Sequence, residues 1–195
     1  MVEHHSTLID LKSPFLYIYL RRLELEKGFD SVTFAGHEDT PVAVPGRELN
    51  LLMLNAHIMK HAFISGVGLR QLCDLARAYY SYVGQYDAGE LKNSYRRAHM
   101  LRWSGMLHNF LVVHLGLEEK YLPYALPVAS TEKLLCSVIT GGNFGQLMFD
   151  RGHYLSHKLY TLKAMYRNRN ISLRYSVLEI FCWFVQLLYG QFHEK

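Results

Sequence analysis

The chain has 195 residues, half of them hydrophobic and 19% charged, with a formal net charge of +4 at pH 7. This length allows one domain with a proper core or two small ones, and the composition excludes a disordered or low-complexity chain. The mild positive charge does not by itself point to nucleic acid, which calls for a concentrated basic face.

Residues 1–9 alternate weakly and fit a strand, and they lack the basic and apolar regions of a secretion signal. Pro14 opens a segment in which Leu16, Leu20 and Leu23 keep helical spacing until Gly28 ends it. Residues 31–45 carry two short β-branched runs around Gly36-His37-Glu38-Asp39, which predicts a hairpin turning at those four residues.

From residue 47 the period is helical. Leu49, Leu52, Ala56, Met59 and Phe63 form one apolar stripe, with Asn50, His57 and His61 on another face. In the next helix Leu69, Leu72, Cys73, Ala76, Tyr79, Tyr80 and Val83 form a second stripe. Asp87, followed three residues on by Glu90, resembles a capping box and starts a helix at Ala88 that runs to about Leu115, with a break near Ser104-Gly105. Pro123 and Pro127 bracket a loop, Ser130 or Thr131 caps a short helix through Ile139, and the glycines of "TGGNFG" stop it. Two helices follow, 153–167 and 173–190, separated by the polar turn "RNRN". The last contains the longest apolar run, interrupted by Glu179 and Gln186 and too short to span a bilayer comfortably. Cys73, Cys136 and Cys182 are odd in number and set among apolar residues, which predicts buried free thiols in a reducing compartment. Together these features predict a cytoplasmic protein.

The candidate sites are few. His57 and His61 stand one helical turn apart, as two metal-binding imidazoles would. A zincin needs Glu directly after the first His, and Ile58 stands there, so a structural pair is the simpler reading and no metal site is assigned. His153 and His157 repeat the spacing. Arg70 and Asp74 are spaced for a helical ion pair. Alternatively, Lys60, His61 and Arg70 converge on an anion where the helix start offers unpaired N–H groups. "GGNFG" (141–145) lacks the Lys-Ser/Thr of a phosphate-binding loop and reads as a helix stop. Residues 151–174 hold Arg151, Lys158, Lys163, Arg167, Arg169 and Arg174 with no acidic residue, interleaved with Tyr154, Tyr160 and Tyr166. That pattern fits a solvated helix face or a surface for RNA or anionic membrane. There is no GxSxG and no Asp-x-Asp pair anywhere in the chain.

Four stretches carry a resemblance: "VEHH" at the start, "LNAHIMKHAFISGVGLRQLCDLARAYY", "LGLEEKYLPYA" and "VITGGNFG". In that order they resemble the rear part of a bacterial, Bacteroidetes-type family of nucleotidyltransferase-fold proteins. The resemblance implies a nucleotidyltransferase fold followed by a helical region. In a complete member, two Asp residues of the front half would hold Mg²⁺ for attack on a nucleoside triphosphate. A later Val-Glu-Ile-His segment would give the third carboxylate. That segment corresponds to Val2-Glu3-His4-His5, making Glu3 the candidate third carboxylate and His5 the following His. The Asp pair has no counterpart, as if the chain began after its place.

The expectation is a mainly α protein, a bundle-like lobe of about six or seven helices with a short N-terminal β element. Residues 1–46 would be the remnant of the nucleotidyltransferase-fold domain and 47–195 a helical domain. The resemblance implies Mg²⁺-dependent transfer of a nucleotidyl group to an acceptor, with the chain inactive by itself and no cofactor of its own. Lys60, His61, Arg70 and Asp74 are the candidate ligand-binding residues, for a nucleotide. The candidate partners are a missing catalytic half or a second copy. The alternatives are a non-enzymatic helical interaction module and a binder of anionic surfaces or RNA through 151–174.

Overall fold

The computed structural model describes residues 11–34, 37–64, 66–124, 130–141 and 154–189, and it is mainly helical. The predicted strand at 1–9 and the "GGNFG" turn beyond Gly141 lie outside the described residues. Helix α1 (Pro14–Lys27) opens on Pro14, whose fixed φ suits a first helical position, and it is followed by Gly28 at φ +68°. Its predicted stripe holds: Leu16, Leu20 and Leu23 are buried, while Ile18 and Leu25 face solvent.

Strands β1 (Phe29–Phe34) and β2 (His37–Pro45) pair antiparallel, with Phe29 opposite Pro45 and Val32 opposite Val42. The ladder extends to a Phe34–His37 pair, so His37, Glu38 and Asp39 belong to β2 and not to the expected turn. Phe29, Val32 and Val42 are exposed, which leaves the hairpin outside the core.

Helix α2 (Arg47–Ile64) is the hub. Its stripe of Leu49, Leu52, Ala56, Met59 and Phe63 is buried as expected, and so are Leu51, Asn55, Ile58 and Ala62. So broad a buried surface needs neighbours on several sides. Helices α1, α3 (Leu69–Tyr82), α4 (Ala88–Arg97), α5 (Leu101–Leu115) and α7 (Tyr154–Tyr175) supply them, α7 most extensively. In α3 the buried stripe is narrower than its sequence implies. Leu72, Leu75 and Tyr79 are inside, but Leu69, Tyr80 and Val83 are exposed; the Tyr80 ring lies 4.7 Å from that of Tyr121 instead.

Asp87 Oδ1 accepts from the Glu90 N–H at 2.9 Å, so α4 starts where the capping signature puts it. The predicted long helix to Leu115 is two. Its break is at 98–100 and not at Ser104-Gly105: His99 sits at φ +53°, its N–H bonds to the Arg96 carbonyl, and the Met100 N–H reaches the Tyr95 carbonyl. This pair of bonds is a Schellman ending with His in the place usually held by Gly. Ser104 and Gly105 lie buried inside α5, where the Ser104 hydroxyl bonds back to the Met100 and Leu101 carbonyls.

Helix α6 (Glu132–Gly141) follows Thr131, whose Oγ1 pairs with His114 Nε2 at 2.8 Å. The "RNRN" segment is no turn. α7 runs through it because Ala164, Met165, Asn168, Ile171 and Ser172 form a buried face that leaves Arg167, Arg169 and Asn170 on the solvent side. One residue, Ser176, separates α7 from α8 (Val177–Tyr189). The described residues thus hold eight α-helices. None is long and apolar enough to cross a membrane. Cys73 and Cys136 are exposed and Cys182 is half-buried, against the expectation of buried thiols; each sits beside apolar residues but off the buried face of its helix.

Candidate functional site

The polar surface that the sequence singles out forms where α2 hands over to α3. Gly66, at φ +112°, closes α2 with an N–H bond of 2.7 Å to the His61 carbonyl. Gly66, Val67 and Gly68 then run buried into the first turn of α3. There the Gln71 side chain folds back: its Oε1 accepts from the Gly68 N–H at 3.1 Å, and its Nε2 lies 3.3 Å from His57 Nε2. The His57 and His61 rings meet edge-on, with centroids 4.4 Å apart. His57, His61 and Gln71 therefore form one small polar cluster at the α2–α3 junction.

Arg70 and Asp74 belong to the neighbouring face of α3. The Arg70 Nε–Asp74 Oδ2 separation is 4.0 Å with both side chains mostly exposed, an arrangement in which solvent screens most of the attraction. Lys60 turns elsewhere and places its ammonium 5.8 Å from the Trp183 ring centre on α8, which the Lys12 ammonium also approaches, at 5.0 Å. Glu3 lies outside the described residues. Among those residues no three His, Cys, Asp or Glu side chains are grouped to hold a metal ion.

Two polar arrangements have no signal in local spacing. Inside the core, Asn55 Nδ2 donates toward the Leu51 carbonyl (2.9 Å), Tyr95 Oη (2.8 Å) and Tyr79 Oη (3.2 Å), and His108 Nε2 lies 2.9 Å from Tyr79 Oη. Burial pushes the Tyr95 phenol well above its usual range and lowers His108 to about 4, while the Tyr124 backbone near the imidazole partly offsets the latter. These groups are sealed from solvent, so they act on packing and not on a substrate.

The second is Glu179 on α8, fully buried, which accepts the Lys12 and Ser13 N–H groups at 2.7 and 2.8 Å. Ser176-Val177-Leu178-Glu179 reads as a capping box for α8, but the carboxylate serves the start of α1 instead. Desolvation raises its pKa, and the two backbone bonds work the other way.

Fold and surface together define a mainly helical protein with a two-stranded hairpin, in which the "GVGLRQLCD" stretch forms the α2–α3 junction and first turns of α3. The chain belongs to the family described as uncharacterised nucleotidyltransferase, whose family model matches residues 1–114. That match takes in α1 through nearly all of α5, including Lys60, His61, Arg70 and Asp74. No curated protein and no solved structure matches the chain.

Proposed function

We propose that this chain is the helical lobe of a nucleotidyltransferase and does not transfer nucleotides by itself. The observation that carries the reading is the family match over 1–114 combined with the absence of an Asp-x-Asp pair from all 195 residues. Nucleotidyl transfer uses Mg²⁺ to neutralise the triphosphate and activate the attacking oxygen, and paired carboxylates hold the ion. The carboxylates nearest in spacing, Glu24 and Glu26, stand on α1 paired with Arg21 and Arg22. Completing the chemistry therefore takes an acidic pair from outside these residues, with Glu3 as the third carboxylate.

In this reading the lobe contributes positive charge to a triphosphate through Arg70, with Asp74 one turn away on the same helix; Lys60 faces Trp183 and is no part of that contact. The purified chain, incubated with α-labelled nucleoside triphosphates and Mg²⁺, transfers no label. Mg²⁺-dependent transfer by the chain would sink the proposal. Calorimetric titration with ATP, GTP, CTP and UTP tests the second half. Saturable binding weakened by Arg70→Ala supports a phosphate contact, and binding indifferent to that change removes Arg70 from the site.

A second reading, self-association through α8, rests on the exposure of Val177, Leu178, Phe181 and Phe184 along that helix. Light scattering that reports a monomer at high concentration eliminates it.

A further inference from the structure

Helices α7 and α8 share one exposed stripe. Only Ser176 separates them, and helical bonding continues on both sides of it: the Ser176 N–H reaches the Ser172 carbonyl at 2.9 Å, and the Ser176 carbonyl accepts the Ile180 N–H at 3.3 Å. Helical spacing therefore carries across the junction. Lys163, Asn170, Arg174, Val177, Phe181 and Phe184 follow one another at intervals of seven, four or three residues, and all six are exposed. Tyr166, Arg169 and Leu173 widen the stripe on α7, and Leu178 widens it on α8. The opposite face is held in the bundle through Ala164, Ile171 and Glu179, which are buried.

The two halves of the stripe differ in chemistry. The α7 half is cationic, and the one acidic residue of either helix, Glu179, is buried and turned to the start of α1. Arg169 touches the Tyr166 carbonyl and ring, and Arg174 lies 5.8 Å from the Tyr175 ring centre; neither contact neutralises a charge. The α8 half is apolar, with Phe181 60% and Phe184 45% exposed beside Val177 and Leu178. A contiguous patch of this kind marks a docking surface.

Charge selects the occupant. A second copy seated along the whole stripe would bring Lys163, Arg169 and Arg174 against their own counterparts, with no carboxylate on either side. A nucleic acid would answer the cations but has no use for Val177 and Leu178. An anionic lipid surface answers both halves: its headgroups attract Lys and Arg, and the acyl boundary takes Phe, Val and Leu. No described helix is long and apolar enough to cross a bilayer, so the contact is peripheral.

We infer that the α7–α8 stripe docks the chain onto an anionic membrane surface, with Phe181 and Phe184 entering the interface and Lys163, Arg169 and Arg174 resting on the headgroups. The stripe lies beyond residue 114, where the family match ends, so it is independent of the nucleotide reading.

The test is co-flotation of the full chain with phosphatidylcholine vesicles, with and without about 30% phosphatidylserine. Binding to the anionic vesicles is expected at low ionic strength, with loss in about 0.5 M salt and little binding to the neutral ones. Lys163→Glu combined with Arg174→Glu should weaken it about twentyfold or more, the loss of two surface cations. Phe181→Ser combined with Phe184→Ser should weaken it about tenfold or more, leaving a residue that salt removes entirely. All four side chains are exposed, so the core is untouched in both variants. Absence of flotation with anionic vesicles at low salt overturns the proposal, and so does equal binding to neutral vesicles. Tighter binding to a single-stranded RNA that ignores the Phe changes assigns the cations to nucleic acid instead. Dimers by light scattering that Phe181→Ser abolishes, without flotation, give the stripe to a second copy.

Discussion

Asn55 Nδ2 reaches an oxygen on its own helix and a tyrosine hydroxyl on each of two others, and Trp103 Nε1 donates to the Asn55 backbone carbonyl at 3.1 Å. Truncating this carboxamide opens a void and deprives two buried hydroxyls of a donor. Asn55→Ala should therefore cost about 1–3 kcal/mol, read as a lower urea midpoint. His108 extends the same network and gives it a pH dependence. Its folded pKa of about 4 lies below the ordinary 6.5, so between those values the unfolded chain binds more protons. Stability is full above pH 6.5 and falls as pH drops toward 4, by a total on the order of 3 kcal/mol. His108→Gln keeps a hydrogen-bonding group without the titration; urea midpoints measured from pH 7 to 4.5 should decline less steeply in that variant. None of this was legible in the sequence. Asn55, Tyr79, Tyr95 and His108 are 13 to 53 positions apart in the chain, and only the docking of α3, α4 and α5 brings them together. The residues that spacing did single out are those a helix brings together unaided: His57 with His61, and Arg70 with Asp74.

At the scale of the element, periodicity located the helices, while their breaks depended on what each helix packs against. A "RNRN" run reads as a turn because four polar residues in a row leave no visible apolar stripe. Asn168 nonetheless continues the buried face that Ala164 and Ile171 define. Arg169→Pro distinguishes the two readings. Within a continuous helix it removes a backbone bond and clashes with the preceding turn, costing about 3 kcal/mol or more, whereas a turn at that place would tolerate it; thermal unfolding reads the difference. The break expected near Ser104-Gly105 falls instead at His99, which adopts a left-handed backbone that glycine usually marks. Glu179 shows a local signature redirected by tertiary structure, since its carboxylate caps α1 across 166 positions. Glu179→Ala leaves two N–H groups at the start of α1 without acceptors and should cost about 1–3 kcal/mol. Amide exchange should quicken in α1 and not in α5, and Glu179→Gln, which keeps one acceptor, should fall between. Uniform acceleration throughout the chain would assign Glu179 a general packing role instead.

Across the whole molecule, the family match and the core do not end at the same place. The match stops at residue 114, near the end of α5, yet Leu134 of α6 and Ile171 of α7 belong to the same hydrophobic cluster as Leu51, Phe63 and Leu107. The Trp103 ring, buried on α5, packs edge-on against Tyr175 of α7 with centroids 5.6 Å apart. Met59 of α2 and Tyr175 share the wall of a cavity of about 300 Å³ with Ser13, just before α1. Removing α6–α8 would thus uncover one side of the hub helix, strip the Glu179 cap from α1 and leave the Trp103 ring with Phe63 but without Tyr175. A domain whose central helix is wetted along one side loses specific packing before it loses helix. Residues 1–116 produced by themselves should keep a helical far-UV spectrum while losing near-UV signal, binding a hydrophobic dye and melting broadly in urea. The full chain should unfold in one sharp transition seen alike by Trp103 and Trp183 fluorescence, each isolated by replacing the other with Phe. A sharp transition at the same midpoint in residues 1–116 would mean that the family-matched part folds by itself and that α6–α8 are a layer added to a finished core.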